Sequence, residues 1–96
     1  MKPIILLITF ISCFSLKAQT VKGTVKSNTG ETIPGAAVTI KGTTQGVNAG
    51  AMGEFSIFCT PKQTLVFSSV GYKAKEVVVG NQKIINVELE ESLSDL

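Results

Sequence analysis

The 96-residue chain contains no histidine. That removes the side chain most often used as a general base and as a metal ligand. Its two cysteines are Cys13 and Cys59. Cys59 alternates with Phe55 and Ile57, which predicts a buried thiol that packs as a small hydrophobe and stays inert. No carboxylates are paired at an acid–base spacing. Gly42, Gly46, Gly50 and Gly53 are almost evenly spaced, yet they lack the strand-to-helix setting that phosphate binding needs. They are read as a loop whose glycines supply positive φ. The sequence therefore calls for no catalytic residue, no cofactor and no metal, and the chain is read as not an enzyme.

Two further residue sets bear on chemistry. A Lys–Asn isopeptide bond, of the kind that cross-links some adhesin sandwiches, would need Lys22 or Lys26 joined to Asn86. Such chemistry requires a desolvated amine. The lysines oppose the Val21/Val25 face and Asn86 opposes the Ile85/Val87 face, so all three are expected in solvent. The second set is aromatic. There is no tryptophan, Phe10 and Phe14 fall in the apolar leader, and Phe55 and Phe67 look internal. Phe58 and Tyr72 are then the only platforms on which a carbohydrate or peptide would stack. Tyr72, after Gly71, also reads as a corner residue with a buried ring and a hydroxyl bonded to backbone.

The chain opens with Lys2, an apolar stretch from Ile4 to Leu16, and Lys17-Ala18-Gln19. A basic start, a short apolar run and a small residue at its exit mark a secretory signal peptide, with cleavage expected between Ala18 and Gln19. The run is shorter than the roughly 20 residues a spanning helix needs, so no membrane span is expected in the mature chain. Phe10-Ile11-Ser12-Cys13 distantly resembles a lipobox that would lipidate Cys13. Phe10 suits that motif poorly, and the run continuing to Leu16 fits the longer signal better. Lys2 and Lys17 leave with the leader, and the remaining seven lysines balance seven acidic residues. Neutral balance gives no case for nucleic acid. The absence of arginine disfavours bidentate anion recognition.

Beyond Gln19 the pattern has period two. Val21-Gly23-Val25, Val38-Ile40, Phe55-Ile57-Cys59 and Ile85-Val87-Leu89 mark inward faces. A short strand is expected near Val47 and another from Lys73 to Val79. Leu65-Val66-Phe67 is continuous apolar, which predicts a central strand covered on both faces. Ser27-Asn28-Thr29-Gly30 is a turn in which Asn and Gly are expected to adopt positive φ. Pro34 stands ahead of a strand, where its missing N–H is harmless. About seven short strands at this spacing predict an all-β antiparallel two-sheet sandwich. The expected organisation is a signal peptide over 1–18, one domain over 19–91 and a tail or linker over 92–96. About 78 mature residues would bury only about 60–65% of the unfolded surface, and Cys59 alone offers no disulfide.

Val21-Lys22-Gly23-Thr24-Val25, Ile33-Pro34-Gly35-Ala36, Gly53-Glu54-Phe55 and Val70-Gly71-Tyr72 together resemble the carboxypeptidase-regulatory-like domain family. The resemblance spans roughly Val21 to Glu91. It implies a Greek-key sandwich of the prealbumin (transthyretin) type, as in the N-terminal extension of SusC-type TonB-dependent outer-membrane receptors. It further implies a non-enzymatic accessory module, located in the periplasm or at the outer membrane of a Gram-negative bacterium, with a protein partner in the cell envelope. A stand-alone module and the stub of a receptor are both compatible with it, since too few residues remain for a barrel. The alternative reading is a periplasmic carbohydrate- or peptide-binding module. Where the family usually carries Thr-Asp before the Gly-aromatic pair, this chain has Ala49-Gly50, which predicts a softer loop for want of a carboxylate.

Overall fold

The computed structural model describes residues 18–92. The apolar leader, Cys13 and residues 93–96 lie outside the described residues. Seven strands follow one another: β1 (Gln19–Ser27), β2 (Ala37–Ile40), β3 (Gly46–Asn48), β4 (Glu54–Cys59), β5 (Thr64–Ser68), β6 (Lys75–Val78) and β7 (Val87–Leu89). They form a three-stranded sheet in the order β4-β1-β7 and a four-stranded sheet in the order β3-β2-β5-β6. The chain crosses between the sheets after β1, β3, β4 and β6. The result is the all-β sandwich that the period-two pattern predicts.

Alternation produces the core. β4 buries Phe55, Ile57 and Cys59 and exposes Glu54, Ser56 and Phe58. Val21 and Val25 of β1, Val38 and Ile40 of β2, Leu65 and Phe67 of β5, and Ile85, Val87 and Leu89 meet them from the other elements. Phe55 and Phe67 close the gap between the sheets edge-to-face, with ring centroids 5.4 Å apart and planes at 67°. That geometry adds about 0.5–1.5 kcal/mol beyond the area buried.

Three expectations are corrected. Val66 is half-exposed, between Thr39 and Glu76, because a two-layer sandwich covers each sheet on one face only. In the turn after β1, Gly30 has φ +93° and Asn28 is not in the positive region. The buried Ser27 hydroxyl organises that turn, pairing with the Thr29 hydroxyl at 2.8 Å and accepting the N–H groups of Thr29 and Glu31. β6 begins at Lys75, not Lys73, because Lys73 N–H donates to the Glu90 carbonyl at 2.8 Å and Tyr72 bridges Glu91. At the turn where Ala49-Gly50 stand, a carboxylate is supplied from β4. Glu54 accepts the Met52 N–H at 3.0 Å, and its side chain fills the space where a Cβ on Gly50 would lie.

One pairing departs from the antiparallel rule. β7 runs parallel to β1, with Val25, Lys26 and Ser27 opposite Val87, Glu88 and Leu89. A parallel bridge from Lys22 to Ile84 extends the same register toward the start of β1. The chain therefore enters β1 at one end of this sheet and leaves β7 at the other.

Candidate interaction edge

Two open sheets present four edges, and each edge strand carries unpaired backbone groups. Three of the four are blunted. β3 has three residues and starts with Gly46. β6 turns Lys75 toward the inner side, opposite buried Phe67, and flanks it with the exposed pair Lys41–Glu76 at 3.0 Å. An inward charge of this kind discourages a further strand. β7 has only three residues, and the chain just beyond it is occupied by residues 71–73, through Lys73 N–H to the Glu90 carbonyl at 2.8 Å and Ser92 N–H to the Gly71 carbonyl at 2.9 Å.

β4 is different. It has six residues, no proline and no charge on its inward side. Val25 N–H donates to the Gly53 carbonyl at 2.8 Å, which sets the phase of the β1–β4 ladder. Alternation then directs the N–H and C=O of Ser56 and Phe58 away from β1. The turns at either end bracket this window. Gly50 N–H takes the Glu54 carbonyl, and Thr60 N–H takes the Gln63 side chain at 2.9 Å. Phe58 stands beside the window with 67% of its surface exposed.

Phe58 and Tyr72 do not form one platform. Phe58 lies on β4, at one edge of the three-stranded sheet, opposite Thr20. Tyr72 lies beyond the other edge, bridged to Glu91, half-buried against the core. Lys22, Lys26 and Asn86 are exposed, as alternation predicts, and the Asn86 side chain is occupied by Thr24. Ala18 is exposed immediately before β1, so a cut after it would leave every strand intact. Cys59 is buried, and burial pushes its thiol pKa up from 9.0, away from the reactive thiolate. A cleft of about 310 Å³ between β6 and β7 is lined by Asn28, Lys73, Lys75, Glu88 and Glu90, a mixture of signs that selects no ligand charge. Among the described residues, no three His, Cys, Asp or Glu side chains gather to hold a metal, and no helix is long and apolar enough to cross a membrane.

Sequence reasoning singled out Phe58 and missed its surroundings. Ile84 is 68% exposed on the same outer face, bridged to Lys22. The signal was present, because inward Ile85, Val87 and Leu89 force Ile84 outward. The free backbone of Ser56 had no such signal, since sequence does not say which strand lies at an edge.

The family model of the CarboxypepD_reg-like domain matches residues 21–96. The chain belongs to this family. It is 47% identical over 79 residues to TonB-dependent receptor P26 of Formosa agariphila, covering 81% of this chain and 8% of the receptor. It is 35% identical over 95 residues to TonB-dependent receptor P39 of the same organism, covering 97% of this chain and 9% of that protein. The match to TonB-dependent receptor SusC of Bacteroides thetaiotaomicron is 40% over 72 residues, covering 75% of this chain and 7% of the receptor. The chain thus spans less than a tenth of the length of these relatives.

Proposed function

We propose that this sandwich is an exported, non-enzymatic protein-interaction module of the cell envelope that serves outer-membrane nutrient uptake. Its leader directs export and is removed between Ala18 and Gln19. Its contact surface is the β4 edge, where an extended segment of another envelope polypeptide adds a strand to the three-stranded sheet. The observation that carries the surface is the outward backbone of Ser56 and Phe58, on the one long edge that carries no blunting device. The family and the receptor relatives support the envelope setting.

Two baits test this reading, the wild-type chain and Ser56→Pro, each used to capture partners from envelope extracts of the native organism under cross-linking. Proline removes one outward N–H and is tolerated on an edge strand. Capture by the wild type and its loss in the variant, with both folded, supports the assignment. Equal capture by both places the contact elsewhere. No envelope protein captured by either bait counts against the interaction reading itself.

A further inference from the structure

We propose that the module is a direction-dependent mechanical joint, which resists tension along the chain by shearing β1 against β7. Three observations carry this. First, the entering and leaving strands are direct neighbours and run parallel. Tension between the two ends draws β1 toward its start and β7 toward its finish. The strands must slide past each other, and the cross-strand hydrogen bonds are loaded together.

Second, the contact is longer than the three-residue β7 suggests. Lys22 N–H donates to the Lys83 carbonyl at 3.0 Å, and Ile85 N–H to the Lys22 carbonyl at 2.9 Å. Thr24 is held by Asn86, and Asn28 N–H reaches the Leu89 carbonyl at 3.1 Å. Gln19 adds a side-chain bond to the Gln82 carbonyl at 3.3 Å. The seam runs the whole length of β1, about 30 Å at the usual strand rise.

Third, the far end is fastened separately. Residues 71–73 bond to residues 90–92, so β7 cannot peel from its C-terminal side before those bonds open. The opposite geometry exists in the same molecule. Gln19 and Cys59 are register partners in the antiparallel pair β1–β4, so tension applied there opens one residue pair at a time. The joint's role in the envelope rests on the proposed interaction-module reading, whereas its mechanics do not.

Single-molecule force spectroscopy on the full chain tests the proposal. Handles are attached at exposed Ala18 and Glu91 in one sample, and at exposed Ala18 and Lys62 in the other. Forced unfolding reports the unfolding barrier along each direction. The expected result is a mean rupture force about twofold or more higher for the 18/91 pair at the same loading rate. Asn86→Ala is expected to lower the 18/91 force and leave the 18/62 force unchanged. Equal forces in the two geometries, or a lower force for 18/91, would overturn the proposal, whatever becomes of the β4 edge.

Discussion

The side-chain oxygen of Asn86 accepts both the backbone N–H and the hydroxyl of Thr24, each at 3.1 Å. The register on either side of this pair is continuous, so the ladder would ordinarily give Thr24 N–H the Ile85 carbonyl. That carbonyl instead points at Gly23, into the space where a Cβ would stand. Gly23 and Asn86 are therefore one device. The glycine admits a displaced carbonyl, and the asparagine amide replaces it in the ladder.

Asn86→Ala should cost about 0.5–1.5 kcal/mol, the usual net value of an intramolecular hydrogen bond. Gly23→Ala should cost more, about 1–3 kcal/mol, because the new methyl meets backbone that cannot rotate away. Urea melts of the two variants should show both midpoints lowered, with Gly23→Ala the lower. If Gly23→Ala is neutral, the close approach of the Ile85 carbonyl is not a constraint.

Phe67→Ala should be far more damaging. The ring is fully buried and supplies one half of the inter-sheet aromatic pair. Such truncations typically cost about 3–5 kcal/mol, against a total of about 5–15 for a native domain. With a core this small, the variant should be largely unfolded well below the melting temperature of the parent, as read by loss of β-sheet circular dichroism. The outward Phe58→Ala, by contrast, should stay within about 0.5 kcal/mol of wild type.

These contrasts show what was legible. The facing of Phe55, Phe58, Phe67, Ile85 and Val87 follows from period two alone, because neighbouring side chains on a strand must point to opposite faces. The partner of each strand does not follow. β7 offers three residues, and alternation says which of them face in without saying whether β1 lies beside them or runs parallel. An apolar triplet such as Leu65-Val66-Phe67 cannot by itself distinguish two covered faces from one, and here Val66 lies on the open face. Ser27 belongs to a turn pattern in the sequence yet is buried, because its hydroxyl replaces backbone partners that sequence does not show. Phe58 was picked out as exposed, but the open edge beside it depends on strand order.

Ser27→Ala tests that buried hydroxyl. It would leave the N–H groups of Thr29 and Glu31 without their acceptor at the end of β1. Both donors belong to exposed residues that water can reach, so the loss should be near the usual net value of a hydrogen bond, about 0.5–1.5 kcal/mol. Ser27→Thr, which keeps the oxygen, should recover part of the loss if space allows the added methyl. Hydrogen exchange at Thr29 and Glu31 should accelerate in the alanine variant and not at Val21 or Ile57. Uniform acceleration would mean the hydroxyl supports the whole fold rather than its own turn.

Cys59 gives the pH prediction. Burial favours the neutral thiol, so its folded pKa lies above the unfolded value of 9.0. The sign follows from proton binding. Below pH 9 both states hold the proton and the group contributes no pH dependence. As pH rises above 9 the unfolded chain releases its proton first, so unfolding becomes progressively easier until the folded thiol also ionises. Denaturation midpoints should be flat with respect to this group from pH 7 to 8.5 and fall above pH 9. Cys59→Ala should remove that component of the alkaline fall while lowering stability at every pH, because it leaves a small cavity. Modification of native Cys59 by a thiol reagent at pH 8 should be slow and should track global unfolding. Rapid labelling without unfolding would show that β4 opens by itself, and would move the thiol out of the core.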